Sequence, residues 1–409
     1  MKYWKFAAGL MLSVALPSAA LATELEITHW WTSGGEAAAV AELAKAFDAS
    51  GDKWIDGAIA GGGDTARPVM ISRITGGDPM GATQFNHGQQ ALELVEAGLM
   101  LDLTDVAEAE GWKDKVFPPS LLDACTVDGK IYCAPVNIHS PEWLWLNNKV
   151  YTDLGLAVPT NWAEFVAAAP AVEAAGKVPL ALGNQPWQSN LAFGAITVGI
   201  GGLDLWKKVN VAKDMDAAAG PEMAAVFTAA ADARKLAAKS TVQDWNQATN
   251  MVITGEAAGQ IMGDWAQGEF AVAGKVAGVD YTCLPGLGNN AYLSTGGDAF
   301  YFPKLDDPEK EAAQKRLAAL LVSPAAQVAF NLKKGSLPIR GDVDLAAAND
   351  CMKKGLEILA SGNLLPAGDM VWSPDVQTQA GDLMVEFWKT DMSPVDAQAK
   401  WVEILKSGL

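Results

Sequence analysis

Residues 25–36 read LEITHWWTSGGE, and the fold turns on them. Leu25 to Trp30 alternates apolar and polar side chains with the period of a β-strand. Ser33-Gly34-Gly35-Glu36 then has the spacing of a helix capping box, and apolar positions recur at helical spacing through Phe47. Outward from this start the alternation repeats. Trp54 to Ala60 reads as a second strand, Gly61-Gly62-Gly63 as a loop, and Asp64 as the cap of a helix through Ile74. Ala82 to Phe85 reads as a third strand and Gln89 to Ala97 as a third helix. A β-α-β-α-β order implies a parallel, doubly wound sheet with right-handed crossovers. Ligands of such sheets sit beyond the carboxyl ends of the strands. Here those loops are His29–Glu36, Gly61–Asp64 and Gln84–Gln89.

Further along, the chain is Ala-rich and helical over Asn161–Ala175, Pro221–Lys239 and Gln243–Thr254, with candidate strands at Val178–Leu182 and Gly259–Met262. Thr295-Gly296-Gly297-Asp298 leads into the expected strand Ala299–Pro303, and helices are expected to dominate from Pro308 onward. No internal repeat or long polar linker interrupts the 409 residues, so two closely connected lobes are expected.

Composition narrows the function. The formal charge is −18, from 48 acidic and 30 basic side chains. Nucleic acid and anionic membrane surfaces call for clustered positive charge, so neither is an expected partner. The chain carries 15 Trp against 12 Phe and 6 Tyr, an excess of wide, rigid faces suited to packing or to a ligand. Residues 1–22 read as a secretory signal peptide: Lys2 and Lys5, an apolar run over Phe6–Leu16, then Ala20-Leu21-Ala22 as the cleavage site. No cysteine lies near that site, so no lipid anchor is expected, and the destination is the periplasm.

In an oxidising compartment four cysteines suggest two disulfides. Cys125 and Cys133 flank TVDGKIY, whose Asp128-Gly129 is a hairpin turn signal that would oppose the two sulfurs. Cys283 and Cys351 remain for the second bridge. Neither pair has zinc-site spacing, so no metal is expected. The sequence holds no nucleophile elbow, zinc-protease helix, phosphate loop or EF-hand, and no catalytic residue or cofactor is assigned. What stands out is aromatic and polar material in loops. Of Trp30 and Trp31, strand alternation would turn one indole to the core and the other to a cleft. Glu36 reads first as the N3 partner of the capping box and Asp64 as an N-cap, with a ligand role as the alternative for each. Among the histidines, His29 reads as structural, His139 as a cleft or hinge residue, and His87 as a ligand candidate.

Several segments resemble the periplasmic sugar-binding proteins of ABC importers (extracellular solute-binding proteins, family 1). They are LEITHWWTSGGE at 25–36, GGGD at 61–64, DGKIYCAPVNIHSPEWLWLNNKVY at 128–151, PTNWAEFVAAAPAVEAAGKVPLALG at 159–183, MGDW at 262–265 and NLKKGSLPIR at 331–340. The likeness runs in order over nearly the whole chain, and the glucose- and mannose-binding branch is the most similar. The resemblance implies an α/β fold of two lobes, each a doubly wound sheet flanked by helices, joined by a multi-strand hinge. The expected division is 23–132 in the first lobe, 133–282 in the second, 283–332 returning to the first lobe and hinge, and 333–409 mostly in the second.

It implies a sugar in the cleft, contacted by Trp30, Trp31 and Glu36 from the first loop, Asp64 from the glycine loop, Trp265, Asp298 after its double glycine, and Lys334 before Gly-Ser. Two places depart from glucose binders. A lysine after the third strand is replaced by Gln84-Phe85-Asn86-His87, and a C-terminal histidine by Asp369-Met370-Val371-Trp372. Gln84, His87 and Trp372 are the substitutes expected at the sugar, and the exchange leaves the particular sugar open. The implied protein is a monomeric receptor without catalysis that delivers a mono- or small oligosaccharide to an inner-membrane ABC permease. A secreted glycosidase, or a receptor of the same fold for a polyol or other polar solute, are the alternatives.

Overall fold

The computed structural model describes residues 22–409. Most of the expected leader, residues 1–21, lies outside the described residues. Nine strands build two main sheets: β1 (Glu24–His29), β2 (Lys53–Ala58), β3 (Ala82–Asn86), β4 (Cys133–Pro135), β5 (Trp143–Asn147), β6 (Val178–Ala181), β7 (Ala257–Met262), β8 (Tyr281–Pro285) and β9 (Asp298–Tyr301). The first sheet has the order β2-β1-β3-β9-β4 and the second β8-β5-β7-β6.

The expected β-α-β-α-β start is present. β1 pairs in parallel with both β2 and β3, and the helices Gly34–Ala49 and Gly63–Thr75 make the crossovers. Neither sheet is wholly parallel, however. β9 runs antiparallel between β3 and β4, with Asp298 opposite Asn86. β5 is antiparallel to both neighbours, β7 and β8.

β5, read WLWLN, was not singled out as a strand by its pattern, because it is apolar at every position up to Asn147. Its faces explain this. Trp143 and Trp145 take one face, the Trp145 ring lying 5.8 Å from Phe270 and 6.0 Å from Tyr281, whereas Leu144 and Leu146 pack on the other around Phe165, Ile196 and Phe227. A strand covered on both faces loses its polar alternation. Helices over Trp162–Ala174, Pro221–Leu236 and Trp245–Thr254 agree with expectation to within a few residues. The longest helix, Pro186–Asn210, has no counterpart among the expected elements; it is kinked at Gly202.

Both bridges form, Cys125–Cys133 and Cys283–Cys351. Between the first pair, Thr126–Val127 and Lys130–Ile131 make the hairpin, and Asp128 (φ 50°) and Gly129 (φ 77°) take the left-handed conformations a two-residue turn requires.

The sheets are joined by three passages lying side by side. Ile138 exchanges backbone hydrogen bonds with Leu337 (2.8 and 3.0 Å), and the His139 N–H donates to Gly296 (3.1 Å). β4 belongs to the first sheet and β8 to the second, so the first passage follows Pro135 and the second follows Pro285. Beside the passages, the N-terminus of helix Gly34–Ala49 meets helix Ala266–Val272 backbone to backbone. A Cβ on Gly35 would lie 2.4 Å from the Gly268 carbonyl carbon, so glycine is required. The Gly35 N–H donates to Glu269 Oε1 at 2.7 Å.

Candidate functional site

The loops that follow β1, β2 and β3 open on one cleft of about 440 Å3. Trp30, Thr32, Ser33 and Glu36 come from the first loop, Gly61 to Asp64 and Arg67 from the second, and Asn86 and Gln90 from the third. The second lobe supplies Gln185, Trp187, Asp244, Trp245, Asn246 and Trp265. His139, Asp298 and Lys334 enter from the passages and from the end of helix Pro324–Lys334.

The inner end holds buried charge. Lys334 Nζ donates to Glu36 Oε1 at 2.7 Å, with the side chains 3% and 9% exposed. Glu36 Oε2 accepts the Ser33 hydroxyl at 3.1 Å, and the Glu36 N–H donates back to Ser33 Oγ at 3.4 Å. Glu36 is therefore both part of the helix cap and part of the cleft wall. Asp298, 2% exposed, accepts from Gln84 Nε2 at 2.7 Å and from Asn137 Nδ2 at 2.9 Å, and its Oδ2 lies 3.3 Å from His139 Nδ1. Burial alone would raise the Asp298 carboxyl. The His139 charge and hydrogen bond, Lys334 and Asn137 outweigh it and hold Asp298 well below the usual carboxylate range. Burial likewise works to lower His139, and Asp298 and then Asp264 overcome it, raising the imidazole. Two carboxyls behind the cleft go the other way. Asp264, accepting from Ser140, is pushed up to about 7 by burial, and Glu142, accepting from the Ser294 N–H, is pushed well above its ordinary value.

The outer end is aromatic. The Trp265 ring stands 5.3 Å from His139, 6.3 Å from Trp187 and 6.4 Å from Trp245, centroid to centroid. Across the cleft, the Arg67 guanidinium lies 5.7 Å from the Trp30 ring and pairs with Asp64 at 2.5 Å. The helix there starts at Gly63 with Gly62 as its cap, so Asp64 sits in the first turn instead of capping it.

Of the ten residues expected at a ligand, Trp30, Glu36, Asp64, Trp265, Asp298 and Lys334 line this cleft. Trp31, Gln84, His87 and Trp372 do not. Trp31 takes the core side of the pair, 1% exposed, with its ring 5.0 Å from Phe330 and 5.6 Å from Phe300. Gln84 is fully buried beneath the wall, bridging the Trp30 N–H (2.9 Å) to Asp298. His87 is buried behind Gly297 with both ring nitrogens unpartnered, and burial, reinforced by His139, lowers it to about 4. Trp372 belongs to the second-lobe core, its Nε1 donating to Asn210 at 2.9 Å and its face under Lys213 Nζ at 3.2 Å.

Sequence reasoning missed Arg67, Trp187 and Trp245. A signal existed for the two indoles: each occupies the first turn of its helix, after Gln185-Pro186 and Asp244, where a side chain projects from a loop end. Among the described residues, no group of three or more His, Cys, Asp or Glu could hold a metal ion, and no helix is long and apolar enough to cross a membrane.

Two α/β lobes, three passages between them and a polar cleft walled by indoles at their junction define a bilobal ligand-binding protein. The chain belongs to the bacterial extracellular solute-binding proteins, whose family profile matches residues 31–328. It is 38% identical over 364 residues to a probable sugar-binding periplasmic protein of Rhizobium meliloti (strain 1021), covering 88% of this chain and 87% of the relative. It is also 38% identical over 341 residues to a protein of the same description from Brucella melitensis, covering 83% and 80%. Among solved structures, the fold matches the AcbH solute receptor, described as having an exclusive preference for b-D-galactopyranose (TM-score 0.76, 19% identity, 94% and 99% coverage). It also matches maltose-bound T. maritima MalE3 (TM-score 0.74, 19% identity, 95% and 100% coverage).

Proposed function

We propose that this chain is a periplasmic sugar-binding receptor that closes its lobes on a mono- or small oligosaccharide and delivers it to an inner-membrane ABC permease. The observation that carries the reading is the pairing of half-buried indoles with buried, charge-assisted hydrogen-bonding groups in one cleft. A sugar presents flat C–H faces and a rim of hydroxyls, which call for aromatic rings and for such groups respectively. Trp30 and Trp265 supply the faces; the buried Glu36, Asp298 and Lys334, with the exposed Asp64, supply the rim. The likeness to probable sugar-binding periplasmic proteins supports the same reading. Sugar held by both lobes would favour the closed arrangement through contacts that the open one lacks.

The protein acts as a monomer and without catalysis in this reading, after cleavage behind Ala22. A glycosidase needs a protonated carboxyl facing the sugar. Asp264 and Glu142, the buried carboxyls pushed upward, lie outside the cleft lining. Titration calorimetry of the mature chain against hexoses, disaccharides and polyols tests the assignment. Saturable sugar binding with the sugar recovered intact is expected. Binding of polyols alone, or release of hydrolysed product, would overturn it.

A further inference from the structure

The cleft has more room and more aromatic surface than one sugar ring can use. Each CH–OH unit of a sugar occupies about the 30 Å3 share of a liquid water, so a hexose fills about 180 Å3 and a disaccharide about 360 Å3. The cleft measures about 440 Å3, which accommodates at least two rings.

Its chemistry is divided along its length. Glu36, Asp298 and Lys334, at most 7% exposed, occupy the inner end. Trp265 reaches from His139 at that end to Trp187 and Trp245 at the other. There Gln185 and Asp244 are already committed to holding the indoles. Gln185 Oε1 accepts from Trp187 Nε1 at 3.0 Å, and Gln185 Nε2 donates to Asp244 Oδ1 at 2.9 Å. The capping box that starts helix Trp245–Thr254 also uses the Asp244 carboxylate. An aromatic face whose orientation is fixed by its own polar neighbours suits stacking more than the reading of individual hydroxyls.

We infer that the cleft is built for a disaccharide, with one ring held by the inner charged groups and the second stacked beyond Trp265 on the Trp187–Trp245 face. The inference rests on the sugar reading and narrows it to a ligand size. Ring identity is decided at the inner end, and the outer subsite adds affinity.

Calorimetry of the mature protein against glucose, galactose, mannose, maltose, cellobiose, trehalose and maltotriose tests it. A disaccharide of the panel is expected to bind at least tenfold more tightly than its own monosaccharides. In Trp187→Ala and Trp245→Ala, each shown to be folded by its melting transition, that ratio is expected to shrink about tenfold, the size of one lost aromatic contact. A monosaccharide or maltotriose binding as tightly as the best disaccharide, or an unchanged ratio in both variants, overturns the inference while leaving the sugar reading intact. Failure of every sugar in the panel to bind overturns both.

Discussion

Replacing Lys334 by Met separates a buried working cation from an incidental surface lysine. Lys334 is 3% exposed and its ammonium touches one carboxylate oxygen of Glu36 at 2.7 Å. At an effective dielectric constant near 20 this contact is worth about 6 kcal/mol gross. Most of that offsets the cost of removing both charges from water. Methionine fills similar space, so packing is kept, but Glu36 is left as a buried anion with the Ser33 hydroxyl and the helix N-terminus as its remaining support. Breaking a buried pair in this way costs about 3–5 kcal/mol. Urea unfolding followed by circular dichroism should show a loss of that size for Lys334→Met. Glu36→Gln combined with Lys334→Met should recover part of it, because no unpaired charge remains. Sugar affinity should fall roughly ten- to hundredfold in the single variant, the loss of one charge-assisted bond. A Lys334→Met protein within about 0.5 kcal/mol of the parent, with parental affinity, would refute both the buried pair and its place in the site.

Asp298 lies below and His139 above its ordinary value, so their attraction is fully present between about pH 4 and 6.5, the unfolded-state values. It is lost as pH falls through the depressed folded value of Asp298 and as pH rises through the raised one of His139. Asp264 holds a proton up to about pH 7 that the unfolded chain releases near pH 4, so it too makes stability decline as pH rises. His87 and His29, lowered by burial, work the other way below about pH 6.5, the unfolded histidine value. Melting temperature should therefore drop from about pH 6.5 to 8, less steeply in Asp264→Asn; a rise over that range in both proteins would contradict these assignments. Gly35→Ala should destabilise by roughly 1–3 kcal/mol because its Cβ meets the Gly268 backbone, whereas Gly34→Ala, with only ordinary contacts, should be nearly neutral in the same urea assay. Serine at both Cys125 and Cys133 should cost about 2.6 kcal/mol, and at both Cys283 and Cys351 about 4.4 kcal/mol, by loop closure in the unfolded chain. Neither should change sugar affinity, and calorimetry of the two double variants checks that.

Much of this architecture was legible because periodicity and caps are local. The first three strands, their crossover helices and the Asp128-Gly129 hairpin all announce themselves within a few residues. β5 and helix Pro186–Asn210 did not, for opposite reasons. The strand is covered on both faces and has no polar alternation. The helix carries Gly194, Gly199, Gly201 and Gly202, which weaken its helical pattern. The cleft was legible where its residues sit at the ends of readable strands. Which of two adjacent indoles faced the cleft depended on the far side, where Phe300 and Phe330 take Trp31. Gln84 and His87 do not line the cleft because the entry into β9, far downstream in the chain, places Asp298 over Gln84, at a separation of 214, and Gly297 over His87. No local pattern carries that.

The division of indoles between core and cleft has an optical consequence. Four of the 15 tryptophans, Trp30, Trp187, Trp245 and Trp265, line the cleft. Trp31, Trp112, Trp143 and Trp145 are sealed away from solvent at 1% exposure or less. Their emission is blue-shifted whether or not ligand is present, and Trp143 stacks on Trp145 at 5.8 Å, close enough to pass excitation between them. A ligand that dries all the cleft indoles therefore alters a minority of the emitters against an invariant background. Small changes in total fluorescence would understate occupancy, and the binding signal has to be read as a difference spectrum at the red edge, where the water-facing indoles emit.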